Sequence, residues 1–131
     1  TQHETLVPYT TLFRSVIWCR EESSMNIVTA ISGSGPAYFF LLIEALKNAA
    51  VNAGLDAESA DILTIQTALG AAKMTMESEE DAESLRRKVT SPKGTTEAAV
   101  SVLLARDLPA IVQKAVDEAI QRAEELAKDI E

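Results

Sequence analysis

Cysteine and histidine are almost missing from this chain: 131 residues hold one of each, Cys19 and His3. A lone cysteine excludes a disulfide framework and a thiolate metal cluster. Basic residues are short as well, with 12 Lys and Arg against 20 Asp and Glu and a formal net charge of −8. Only Arg86-Arg87-Lys88 form a basic run. Nucleic acid is excluded as a partner on that ground, because binding it rests on a basic surface that neutralises phosphates. The longest uninterrupted apolar run, Ala37 to Ile43, falls short of the roughly 20 residues that span a bilayer. No charged stretch leads into an apolar one as in a signal peptide. The expectation is one soluble domain in a reducing cytoplasm, without metal and without membrane, able to bury roughly two thirds of its unfolded surface.

Glycine is scarce too, five residues in all, so its placement is informative. Two glycine-bearing turns stand ahead of helical patterns: Ser32-Gly33-Ser34-Gly35-Pro36-Ala37-Tyr38 and Val89-Thr90-Ser91-Pro92-Lys93-Gly94-Thr95-Thr96. Where a helix begins, its first N–H groups have no partner within the helix and the macrodipole is positive. Small hydroxyl residues and unhindered amides at such a place suit a carboxylate or phosphate.

Residues 1–15 read differently. Thr5-Leu6-Val7-Pro8-Tyr9-Thr10-Thr11-Leu12-Phe13-Arg14-Ser15 resembles the translation of a sequencing-adaptor oligonucleotide, and is set aside as an artefactual leader. His3 goes with it, which removes Ser–His, Cys–His and histidine–metal chemistry. Glu4 and Arg14 cancel, so the net charge is unchanged.

Residues 16–22 begin with Val16-Ile17-Trp18-Cys19, a strand end whose partner strands are expected to be missing. Residues 23–131 form the helical part. Ser23 or Ser24 is placed to cap a short helix with Met25, Val28 and Ile31 on one face. Pro36 suits the first turn of a helix that runs from Tyr38 to Ala53 and stops at Gly54. That helix is apolar on most sides and must be buried, centrally or in an interface. Glu44 within it is taken as part of a polar stripe facing water rather than a tuned carboxylate. Asp56 caps a helix over Ala57–Glu77, whose Ile62, Ile65, Leu69, Ala72 and Met76 recur at helical spacing. Gly70-Ala71-Ala72 would let another helix approach closely. Asp81 caps a short helix to Val89. A helix from Thr96 to Ala105 follows, then a break at Arg106-Asp107. Pro109 opens a last amphipathic helix. The fold class is all-α, a bundle of five or six helices.

The Gly33-Ser34-Gly35 turn is no dinucleotide fingerprint, since Tyr38 holds the third glycine position and no strand precedes it. Taken alone it is a tight helical corner. The second turn is more suggestive: Ser91, Thr95 and Thr96 bring hydroxyls, Gly94 lets a ligand reach the backbone, and Pro92 stiffens the entry. Spacing alone leaves a corner and an anion receptor equally open.

Four stretches occur in an order and spacing that resemble the C-terminal helical domain of the pyrroline-5-carboxylate reductase family. They are the Trp18 strand, Val28 through Tyr38, Gln66 through Met74, and Leu85-Arg86 through Thr96. The resemblance implies reduction of Δ1-pyrroline-5-carboxylate to L-proline with NADP or NAD as cofactor in its reduced form. It implies that Ser91, Gly94, Thr95 and Thr96 receive the substrate, with the Thr96 hydroxyl near the ring nitrogen as the catalytic group. It also implies that Ser32, Gly33, Ser34, Gly35, Pro36 and Ala37 lie beside the nicotinamide end. A homodimer of interleaved helices is implied as well, with an N-terminal nucleotide-binding domain that this chain lacks and without which it is inactive. Lys93 departs from the family, which has glycine there; a positive φ at this residue would cost roughly 1 kcal/mol. Two rivals stand beside this expectation. One is a structural dimerisation module whose turns are only corners. The other is the helical part of a β-hydroxyacid dehydrogenase, for which Lys73 is the candidate catalytic lysine.

Overall fold

The computed structural model describes Cys19, Glu21 and residues 23–129. The leader, the strand expected at Val16–Trp18 and Ile130 lie outside these. The described residues are helical throughout, without strands: α1 (Ser24–Val28), a π-helical turn (Thr29–Gly33), α2 (Gly35–Asn52), α3 (Ala57–Glu77), α4 (Ala82–Lys88), α5 (Thr95–Ala105) and α6 (Leu108–Lys128). The all-α expectation is met.

Most boundaries follow from local chemistry. Gly54, at φ +109°, ends α2 with the Leu55 amide on the Ala50 carbonyl (3.1 Å) and the Gly54 amide on that of Val51 (2.9 Å). This is a Schellman arrangement, which satisfies two of the last carbonyls. The Asp56 carboxylate accepts from the Ser59 amide at 2.9 Å and Asp81 from that of Ser84 at 2.8 Å. Ser23, by contrast, sits ahead of α1 in helical conformation and makes no side-chain cap. Pro109 falls in the first turn of α6, as its missing N–H allows.

The two capping aspartates make an acid-sensitivity test. Hydrogen bonds from Ser59, side chain first and then backbone, hold Asp56 below its ordinary value; the Ser84 amide, then its hydroxyl, does the same for Asp81. A carboxyl depressed on folding adds stability above its unfolded value and loses it as pH falls through the folded one. Thermal melts followed by circular dichroism from pH 7 to pH 3 should show this loss. The Asp56→Asn/Asp81→Asn variant keeps the acceptors and should lose less.

Packing within one chain is sparse. The helices α2 and α3 form an antiparallel hairpin, α6 folds back over α1 and the π turn, and α5 packs on α6. The hairpin seam is narrow: Ala60 and Thr64 are its buried positions, and Lys47 on α2 meets Asp61 on α3 at 2.6 Å. Among the described residues the buried apolar side chains are Ala30 and Ala60 alone, and no large side chain is fully buried. The α3 stripe expected to be the packing face is therefore not the one that meets α2. Leu69 is 58% exposed and Ile62 54%, while the small residues turn inward. Small side chains let the α2 and α3 backbones approach, and the large ones are left for something else. On α2, Phe39, Phe40 and Leu41 are each about two thirds exposed. Among the described residues no other element comes within 4 Å of where a Gly70 side chain would begin, so they do not make the close helical approach expected there. Glu44 is exposed, as the polar stripe required.

The short apolar run understates this region. As one helical stretch Ser24–Asn52 has a mean hydropathy of 1.4 over its most apolar window and is long enough to cross a bilayer. The same length and composition belong to a helix buried inside protein.

Candidate functional site

The second glycine turn is an exposed loop at the start of α5. The Thr90 hydroxyl donates to the Arg86 carbonyl at 2.6 Å and the Thr90 amide to that of Arg87 at 3.2 Å, so the loop leaves α4 tethered. Ser91 to Gly94 then close a four-residue turn through the Gly94 amide and the Ser91 carbonyl at 3.1 Å. Pro92 is second in it and Lys93 third, with φ at 61°. Proline second and a positive φ third are what a type II turn asks for. The turn delivers Gly94 as the N-cap of α5, where it has no side chain to offer. The first helical bond is from Ala98 to the Gly94 carbonyl. Among the described residues the amides of Thr95, Thr96 and Glu97 donate to no other group, and neither do the Thr95 and Thr96 hydroxyls. Three unspent donors at the positive end of an 11-residue helix are groups that an anion could accept from.

Two sequence expectations change here. The Gly94 amide is spent on Ser91 and is not free for a ligand. Its missing Cβ has a nearer cause than ligand approach, since a Cβ there would stand 2.5 Å from the Ser91 Oγ and 3.1 Å from the Ser91 carbonyl. The Lys93 expectation is met: lysine occupies a left-handed position that glycine would fill without strain. Relief of about 1 kcal/mol, less a few tenths for the added freedom of glycine in the unfolded chain, should make Lys93→Gly the more stable protein. Urea unfolding at fixed protein concentration measures the difference.

The first glycine turn is not the free helix start that its composition suggested. The chain stays helical through it, widening into a π turn in which the Ser34 amide bonds the Thr29 carbonyl at 2.8 Å. The Ala37 amide then takes the Ser34 carbonyl at 3.0 Å. Pro36 explains the change of register: it has no N–H, and its ring clashes with the carbonyl four residues back in a continuous α-helix. Thr29 and Ser32 hydroxyls donate back to the Met25 and Val28 carbonyls, each at 2.9 Å. The Tyr38 hydroxyl donates to the Ala30 carbonyl at 2.9 Å. Its role had no sequence signal, because residue type and spacing do not say which carbonyl a tyrosine hydroxyl will reach. Gly35 is buried, yet a Cβ on it would meet nothing within 4 Å.

Within one copy the two turns are linked through α6: the π turn rests on α1, α2 and α6, and α5 rests on α6. Lys73, the candidate of the dehydrogenase rival, lies on an exposed face of α3 and pairs with Glu77 one turn on, at 3.8 Å. Such a solvated pair is no environment for a lysine that must act as acid or base.

Comparison with known proteins bears on the family and the fold. Residues 22–126 match the family described as pyrroline-5-carboxylate reductase dimerisation. A pyrroline-5-carboxylate reductase of Pseudomonas aeruginosa is 50% identical over 114 residues, covering 87% of this chain and 42% of the relative. One from Bacillus subtilis is 41% identical over 88% of this chain and 39% of its own length. The solved reductase from Coxiella burnetii superposes with a TM-score of 0.84 at 43% identity, over 96% of this chain and 48% of that one. A pyrroline carboxylate reductase from Plasmodium falciparum, solved with NADP bound, gives 0.80 at 32% identity, over 95% and 50%. The chain thus spans less than half the length of the curated relatives it matches. By sequence over most of its length and by fold, it belongs to the pyrroline-5-carboxylate reductase dimerisation family.

Proposed function

We propose that this chain is the dimer-forming, substrate-receiving part of a pyrroline-5-carboxylate reductase, which reduces Δ1-pyrroline-5-carboxylate to L-proline in the cytoplasm. The carrying observation is the open start of α5, where the amides of Thr95, Thr96 and Glu97 face no protein acceptor. The substrate carboxylate binds there, with Ser91 and Gly94 shaping the turn beside it. The Thr96 hydroxyl hydrogen-bonds the ring nitrogen and orients the C=N bond. NADPH or NADH, when bound, supplies the hydride to the imine carbon. The nitrogen takes a proton from solvent as C=N becomes CH–NH, so positioning and polarisation matter more than a strong protein base.

The Ser32–Ala37 segment fits one part of that dinucleotide. Gly35 is buried, but no atom stands within 4 Å of where its Cβ would be, which leaves room beside it for the edge of a flat nicotinamide end. Phosphates do not fit as well, since the Ser34 and Ala37 amides are already engaged. A nucleotide-binding domain preceding residue 23 holds the rest. Two copies interleave, covering the faces of α2, α3, α5 and α6 that one copy leaves open and completing the site between chains.

Joining the nucleotide-binding half of the Pseudomonas aeruginosa relative ahead of residue 23 makes the test. NADPH oxidation dependent on pyrroline-5-carboxylate is the expected result. Oxidation of 3-hydroxyacids that disappears in Lys73→Ala would establish the dehydrogenase rival instead. Calorimetry with L-proline on the two-chain species, giving the same heat with Thr96→Ala, would leave only a structural module.

A further inference from the structure

We infer that the Tyr38 hydroxyl is a positioning group: it holds the π turn in place and so sets the surface that Ser32–Ala37 offers the nicotinamide end. The second half of this inference rests on the function proposed above. Backbone register carries the first half. In an uninterrupted α-helix the Ser34 amide would bond the Ala30 carbonyl, four residues back. Here it bonds Thr29 instead, which takes from Ala30 its ordinary donor. Ala30 is fully buried, and a buried carbonyl without a donor is costly. The Tyr38 hydroxyl, reaching back from the first turn of α2 to 2.9 Å, supplies that donor.

The other side-chain locks of this segment act elsewhere. Thr29 and Ser32 satisfy carbonyls of α1, upstream of the widened register. Among the side chains of the described residues, only that of Tyr38 ties the far side of the turn to the near side across Pro36, beside the backbone bond from Ala37 to Ser34. Without its hydroxyl the balance shifts toward other registers, and the segment from Ser32 to Ala37 moves with it. Single π turns recur at functional sites because they aim a short stretch of chain that a regular helix would aim elsewhere.

Tyr38→Phe keeps the ring and removes the donor. In the two-chain species, amide hydrogen exchange over residues 30–38 should quicken by about three- to tenfold, the worth of one hydrogen bond. Sedimentation should be unchanged. In the joined reductase the KM for NADPH should rise by a similar factor, with kcat and the KM for pyrroline-5-carboxylate within twofold. Unaltered exchange together with an unaltered NADPH KM overturns the inference. So does a parallel loss in every kinetic constant with dissociation of the dimer, which would mark a general structural role. A wild-type joined protein that fails to reduce pyrroline-5-carboxylate counts against the proposed function alone. The exchange measurement then still decides whether the hydroxyl holds the turn.

Discussion

Leu69→Lys is expected to leave no folded protein at micromolar concentration. Leu69 lies on the uncovered stripe of α3 with Ile62, Ile65, Ala72 and Met76, and no large side chain among the described residues is fully buried in its own copy. Whatever stability the protein has must come from burying such stripes against a partner. Each leucine so buried contributes about 1.5–3 kcal/mol, and a lysine there adds an unpaired charge costing several kcal/mol more. Both effects count twice in a symmetric pair. Against a total of about 5–15 kcal/mol, that is decisive. Light scattering behind size exclusion and circular dichroism are the readouts. The wild type should run as two or more chains and melt at higher temperature when more concentrated. A Leu69→Lys protein that stays folded as a monomer, with unchanged melting, would show that one copy is self-sufficient. Lys114→Ala on the polar side of α6 is the control and should do nothing.

Thr96→Ala should lower kcat/KM for pyrroline-5-carboxylate by about a hundredfold in the joined reductase, the usual loss when one positioned polar group at a reacting atom is removed. Alanine is a good helix former, so α5 should form as before and melting should barely move. Thr96→Ser keeps the hydroxyl and should recover most of the rate. Gly94→Ala separates the two halves of the site. Its Cβ would collide with Ser91, distorting the turn ahead of the amides, so the KM for substrate should suffer more than kcat. Wild-type rates in Thr96→Ala would remove the hydroxyl from the chemistry and leave the amides as the only recognition element.

Residues whose chemistry is local were legible from the sequence. Asp56 and Glu77 bracket α3 as expected because a cap acts on the next three residues and needs no tertiary context. The same holds for Gly54, Asp81, Pro109 and the strain at Lys93. The orientation of α3 was not legible. An apolar stripe says that a face is buried without saying against which chain, and here the seam within the copy runs through Ala60 and Thr64. The π turn was missed for a related reason. Glycine and serine suggest a helix start, but Pro36 and the Tyr38 hydroxyl together favour a widened continuation, and that balance rests on carbonyl bookkeeping rather than composition. At the second turn the structure alters one detail: the Gly94 amide answers to Ser91 before it answers to any ligand.

If two copies supply the core that the described residues of one copy lack, acquisition of structure is a second-order event. Dilution should slow it in proportion, and freshly synthesised chains must find each other while their Phe39, Phe40 and Leu41 surfaces are still bare to every other greasy partner in the cell. Yield on expression should therefore respond to chaperone supply and synthesis rate more than to any property of the finished protein.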